Sequence, residues 1–306
     1  MRGKRIISFL PSATELIYEL GADERLFGVT HECNYPNAAS DKPRVIESVF
    51  DPEKMSSQEI DNMICNLSEK GEEIYKLVTE NLISARPDLI ISQEICEVCS
   101  AYTNQVKTAM NILEVKPEVY SMNPHDIQGI LQCVKDISEK IDESQKGEEI
   151  LNSLNIRIKN INEKQVQNKP KVLGIEWIKP FFTAGHWIPE MIEYSGGINM
   201  ITKSGEHSRK MDILEIEKAD PDVLILMPCG FDVKRTILEY EKNLRNDSRW
   251  NKLRSVRERK VFVVDANSFF SKPSIRIITG IEILGKILHP DIFTELKVPS
   301  DSFLKI

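Results

Sequence analysis

"ARPDLIIS" (residues 85–92) and "ADPDVLIL" (residues 219–226) are one pattern occurring twice. Each is Ala-x-Pro-Asp followed by an apolar run rich in strand-forming residues. Proline lacks an N–H and clashes with the preceding turn, so it closes the helical pattern before it. An apolar run without polar alternation fits a strand covered on both faces, as in a parallel sheet. The chain therefore reads as two similar halves.

The openings of the halves also match. "KRIISFLPSATELIYELG" (4–21) is strand, loop and amphipathic helix, ending at Gly21. "KPKVLGIEWIKPFFTAGHWIPEMIEYSGG" (169–197) repeats the order with a longer loop and ends at Gly196 and Gly197. Glycine just past a helix is the usual left-handed cap. Strands alternating with helices imply a parallel sheet flanked by helices, with ligands beyond the carboxyl ends of the strands. The expected fold class is α/β, with two Rossmann-like lobes.

Between the halves runs "PHDIQGILQCVKDISEKIDESQKGEEILNSLNIRIKNINEKQVQNKP" (124–170). Ile127, Ile130, Leu131, Val134, Ile137 and Ile141 recur at helical spacing, and Ile150, Leu151, Leu154 and Ile158 continue it. One backbone helix of about 40 residues and about 60 Å is expected, with Gly147 as the place for a bend. The domains expected are an N-terminal lobe (1–123), the connecting helix (124–168) and a C-terminal lobe (169–306). A stiff connector of this kind holds two lobes about a cleft that opens only slightly.

Composition sets outer bounds. Hydrophobic residues make up 41% and charged residues 28%, with a net charge of −7 and both signs interspersed. That argues against a nucleic-acid footprint or a polybasic membrane surface. No apolar stretch approaches the ~18 residues a membrane span needs. The basic start precedes only Ile6–Leu10 before Pro11, shorter than the roughly 7–15 apolar residues of a secretion signal. The chain is therefore expected in the cytoplasm, or outside it if the start is truncated. In the cytoplasm its six cysteines are reduced thiols.

Several soft donors follow strand-like runs. His31 and Cys33 follow "LFGVT", Cys96 and Cys99 follow "DLIIS", His186 follows "VLGIEW" and Cys229 follows "VLIL". Thiolate and imidazole together suit zinc, copper(I) or an iron–sulfur cluster. His31 and Cys33, two apart, share one side of an extended segment. Three readings stand for Cys96-x-x-Cys99: two small buried thiols in a turn, a redox pair opening a helix, or ligation of a metal or cluster with Cys33 as third ligand. Cys229 is a candidate fourth. Cys65 and Cys133 lie on apolar helix faces and read as buried thiols. Trp177, Phe181 and Trp187 give the loop around His186 an aromatic surface suited to a large flat ligand. Trp187 reads equally as a core anchor and His186 as a cap. His125 and His207 show no partner signal. Glu15 and Glu190 sit in the first turns of helices, where a carboxylate complements the helix dipole. Gly-x-Ser-x-Gly, a phosphate-cradling glycine loop and His-Glu-x-x-His are all missing.

"RIISFLPSATELIYELGADERLFGVT" (5–30), "ARPDLIIS" and "ADPDVLIL" with the long helix between them resemble the helical-backbone substrate-binding proteins, the cobalamin- and siderophore-binding components of ABC importers. "HECNYP" (31–36), "CEVC" (96–99) and "GHWIPEM" (185–191) narrow the likeness to a subgroup labelled cobalamin-binding protein. The resemblance implies a binding protein holding cobalamin or a related metal chelate in the inter-lobe cleft. His186, Trp187, Trp177 and Phe181 would line the ligand, and an ABC permease would be the partner. The alternative is a cytosolic metalloprotein or enzyme holding zinc or an iron–sulfur cluster through His31, Cys33, Cys96, Cys99 and Cys229. A thiol redox protein using Cys96 and Cys99 is the third reading.

Overall fold

The computed structural model of the chain describes residues 3–94, 100–164 and 166–306. They resolve into two compact units. One comprises Met1–Lys54, Asn62–Pro124 and Gln128–Leu151, and the other Met55–Asp61, His125–Ile127 and Asn152–Ile306.

The first unit is built on β1 (Ile6–Ser8), β2 (Leu26–Thr30), β3 (Arg44–Ser48), β4 (Tyr75–Leu77), β5 (Leu89–Gln93) and β6 (Glu118–Met122), in the order β4-β3-β2-β1-β5-β6. All neighbours are parallel except the edge pair β3 and β4. β1 and β5 carry the opening strand and the first repeat. Ile6 faces Leu89 and Ile7 faces Ile90 across the ladder, and all four are fully buried. Ile7, Val45, Ile46 and Ile90 join Leu82, Ala109 and Leu113 in this unit's core.

The second unit carries β7 (Lys171–Trp177), β8 (Phe181–Thr183), β9 (Ile198–Asn199), β10 (Lys210–Met211), β11 (Val223–Leu226), β12 (Val261–Val264) and β13 (Phe303–Lys305). Their order is β10-β8-β7-β11-β12-β13, with β9 also paired to β7. β7, β11 and β12 form the parallel centre, and β8, β10 and β13 add antiparallel flanks. The second repeat is β11, whose four residues are all buried. The α/β class with mainly parallel sheets is therefore the fold observed.

The sequence punctuation has physical counterparts. In both repeats the residue before Pro-Asp caps a short helix in the left-handed region, Arg86 after Thr79–Ala85 and Asp220 after Ile213–Ala219. Gly21 and Gly196 take φ of +71° and +82°. At each, the two N–H groups past the helix return to carbonyls of its last turn, Gly21 to Tyr18 and Ala22 to Ile17, Gly196 to Glu193 and Gly197 to Ile192.

The single connecting rod is corrected to two helices, Ile127–Lys140 and Ser144–Asn162. The break lies at Asp142, with φ +59°, not at Gly147. Asp142 N–H bonds Glu139 O at 3.2 Å and Glu143 N–H bonds Ser138 O at 2.7 Å, the paired closure usually made with glycine. Aspartate tolerates the left-handed region better than most residues. Gly147 instead permits close approach, because a Cβ there would overlap the Ser138 side chain. Arg157, on the second helix, forks onto Glu282 at 2.8 and 2.7 Å and onto Thr279 at 2.8 Å. Among the described residues no helix is long and apolar enough to cross a membrane.

Candidate functional site

β7 ends at Trp177 and returns through β8, delivering the chain to Gly185, His186 and Trp187. A Cβ on Gly185 would lie 2.6 Å from both the Glu206 carbonyl oxygen and the Ser208 nitrogen. Only glycine lets residues 206–208 close against it. The closure then fixes His186. Its N–H donates to Glu206 O at 2.6 Å, and its carbonyl accepts from Gly205 N–H at 2.9 Å. These bonds hold His186 at φ +54°, a conformation costly for a residue with a Cβ.

The imidazole of His186 has two histidine neighbours. Its ring centroid lies 5.1 Å from that of His207, with perpendicular planes, and 6.4 Å from that of His125, with planes 19° apart. His125 and His207 lie 5.7 Å apart. His125 arrives on the residues preceding helix Ile127–Lys140, and Glu190 fixes that approach by accepting the Ile127 N–H at 2.8 Å. Glu190 thus caps a second helix besides standing in the first turn of its own, Ile188–Tyr194. The buried ring nitrogens His186 Nε2 and His125 Nδ1 have no hydrogen-bond partner among the described residues. Burial, then the His207 and His125 rings, pull the His186 pKa down to about 4, so the ring is neutral at pH 7.

Glu176, at the end of β7, accepts from Ser208 Oγ and from Gly185 N–H at 3.3 Å. Burial outweighs both bonds and pushes its pKa up. Trp187 is 5% exposed, and its Nε1–H donates to Phe270 O at 2.9 Å. Phe181 packs on the core against Trp250, with centroids 6.0 Å apart. Trp177 is partly buried. Its Nε1–H donates to Ser57 O at 3.1 Å, and its ring meets Phe231 at 5.2 Å.

The other predicted donors have different settings. His31, after β2, lies 5.7 Å from the Tyr75 ring, and its buried Nδ1 has no partner among the described residues. Cys33 is fully buried. Its Sγ accepts from Thr14 Oγ1 at 3.2 Å and meets Thr30 Oγ1 at 3.3 Å. Burial pushes this thiol up despite both hydroxyls. Cys229 is exposed on the turn after β11. Cys133 is buried as expected, whereas Cys65 is exposed rather than buried. Cys96 and Cys99 lie outside the described residues. Among the described residues no group of three or more His, Cys, Asp or Glu side chains is placed to hold a metal ion.

His125 and His207 are the residues that sequence reasoning passed over. They lie 61 and 21 positions from His186, so no local spacing links them. The one local signal is the glycine in "GHW", which marks a close backbone approach without saying to what.

The sequence matches the family described as periplasmic binding protein over residues 6–268. It is 24% identical over 302 residues to the uncharacterized ABC transporter substrate-binding lipoprotein YvrC of Bacillus subtilis, covering 95% of this chain and 82% of that protein. A vitamin B12-binding protein of Vibrio cholerae is 20% identical over 286 residues, 91% of this chain and 87% of that one. Two solved structures share the fold. The periplasmic vitamin B12 binding protein BtuF of Vibrio cholerae gives a TM-score of 0.67 at 19% identity, over 96% of this chain and 99% of that one. IsdE of S. aureus, complexed with heme, gives 0.69 at 15%, over 94% and 99%. These relatives correct the expected cytoplasmic location. One is named a lipoprotein and another periplasmic, so they are extracytoplasmic proteins.

Proposed function

The chain belongs to the periplasmic binding protein family, of the ABC-transporter substrate-binding type, and from that premise we propose that its ligand is a metal-centred macrocycle, a corrinoid before a haem. The observation that carries this reading is that the vitamin B12-binding relative aligns along nearly the whole chain, both repeats included. Such a protein captures its ligand and hands it to a permease without chemical turnover. Trp177 offers a partly exposed aromatic face and His186 a neutral imidazole. Both suit a flat, apolar-edged ligand with a metal at its centre. Phe181 and Trp187 support that surface from the core. A resident zinc ion or iron–sulfur cluster on His31, Cys33, Cys96, Cys99 and Cys229 is not favoured, because the named ligands of the relatives are vitamin B12 and heme.

The test is direct titration of the purified full chain with cyanocobalamin, hydroxocobalamin and haem, followed by visible absorption and calorimetry. One equivalent of at least one macrocycle should bind with Kd of about 1 µM or tighter. Absence of binding by all three would overturn the reading.

A further inference from the structure

We propose that the start of the helix Pro11–Glu19, with the Ser12 hydroxyl and the Glu15 carboxylate, is a subsite for a primary carboxamide on the edge of the ligand, and that it selects an amide-fringed corrinoid over an acid-bearing macrocycle. The proposal rests on the ligand reading above and names how that ligand is told from haem.

Topology places the subsite. β1 lies between β2 and β5. The chain leaves β1 through the helix Pro11–Glu19 for β2 on one side, and leaves β5 for β6 on the other. The strand order therefore reverses between β1 and β5. Ligands of open α/β sheets bind beyond the carboxyl ends of the strands at such a reversal, and the helix starts there, just past the end of β1 at Ser8.

This helix start has donors to spare. Pro11 has no N–H, and Thr14 N–H reaches Leu10 O at 3.3 Å. The N–H groups of Ser12 and Ala13 have no carbonyl a turn earlier to receive them, and Leu10 provides no side-chain cap.

A separate observation points to a ligand. Ser12 is 3% exposed, and its Oγ has no hydrogen-bond partner among the described residues. Helical side chains tilt toward the N-terminus, so this hydroxyl faces the same end as the two N–H groups. Buried hydroxyls are ordinarily bonded.

These donors alone would suit any acceptor oxygen, a carboxylate included. Glu15 decides between them. It lies beyond the first turn, on the same helix face as Ser12, and is 2% exposed. Its charge disfavours a second carboxylate beside it. Its lone pairs accept N–H donors beyond the partner it already has. A primary carboxamide answers both ends, its C=O accepting from Ser12 and Ala13 and its NH2 donating to Glu15. Corrinoids carry such amides around the ring, whereas haem carries propionates.

The experiment titrates the full chain with cyanocobalamin, with its separated monocarboxylic acids, in each of which one amide is hydrolysed, and with haem, all by calorimetry. At least one acid should bind about tenfold or more weakly than cyanocobalamin. Ser12→Ala should weaken cyanocobalamin about three- to tenfold without lowering the urea-unfolding midpoint, because it removes an unbonded hydroxyl. Glu15→Gln should narrow the gap between cyanocobalamin and that acid; if this variant does not fold, Ser12→Ala and the acids decide. A buried water on Ser12, or a role confined to folding, would move the midpoint and leave affinity unchanged. Ser12→Ala binding cyanocobalamin as its parent does, or every acid binding as cyanocobalamin does, overturns this proposal alone. Haem bound without cyanocobalamin also overturns it and leaves the macrocycle reading standing, whereas binding of neither overturns both.

Discussion

Asp222 and Lys171 bond each other twice. The Asp222 carboxylate accepts the Lys171 N–H at 2.8 Å, and the Lys171 carbonyl accepts the Asp222 N–H at 2.8 Å. Asp88 and Arg5 repeat both bonds in the first unit, also at 2.8 Å. The aspartate of each Ala-x-Pro-Asp repeat thus ties the start of its own strand to the start of its neighbour.

That pairing sets a pH dependence. Partial burial pushes the Asp222 carboxyl up, but the Lys171 N–H and the Arg254 guanidinium, 2.8 Å away, outweigh it and hold the group below its usual 3.8. A carboxyl depressed in the folded state stabilises above its unfolded pKa and loses that contribution as pH falls through the folded one. Asp222→Ala should therefore cost about 1–3 kcal/mol at pH 7, and the deficit should shrink below about pH 4. Urea unfolding at both pH values checks this. A deficit that stays constant with pH would show that the charge is not what matters.

The repeats were legible because a buried parallel strand and a proline stop are local properties. Gly21 and Gly196 were legible for the same reason. The helix break at Asp142 was not, because the apolar spacing runs on through Ile137 and Ile141 and the stop uses aspartate in a position usually given to glycine. The histidine cluster was invisible because its members meet only through tertiary contacts. The core role of Trp187 stayed open until Phe270 O supplied its partner.

Gly147 and Ser138 form a tight helix contact. Gly147→Ala should destabilise by about 1–3 kcal/mol through overpacking, despite alanine's better helix propensity. Removing the opposing side chain with Ser138→Gly should recover part of that loss. A double-mutant cycle from thermal or urea unfolding measures the coupling. Additive single effects would mean that the two residues do not clash.

Thiol reactivity should divide by burial. Cys65 and Cys229 are exposed, while Cys33 and Cys133 are buried and burial pushes both thiols up. Because the thiolate is the reactive form, iodoacetamide on native protein at pH 8 should label Cys65 and Cys229 first. Cys33 and Cys133 should be labelled only after unfolding. Peptide mass spectrometry reads the order, and early labelling of Cys33 would contradict its enclosure by Thr14 and Thr30.

The two loop tryptophans should separate binding from stability. Trp187 is enclosed and hydrogen-bonded, so Trp187→Ala should cost about 3–5 kcal/mol and Trp187→Phe about 1–3 kcal/mol, since losing the indole N–H leaves Phe270 O without its donor. Trp177 keeps part of its surface in solvent, so Trp177→Phe should reduce macrocycle affinity while moving the unfolding midpoint less than Trp187→Phe does. Calorimetry with the bound macrocycle and urea unfolding of the same preparations give the two readouts. If Trp187→Phe lowers affinity with unchanged stability, and Trp177→Phe does the reverse, the assignments of these side chains must be exchanged.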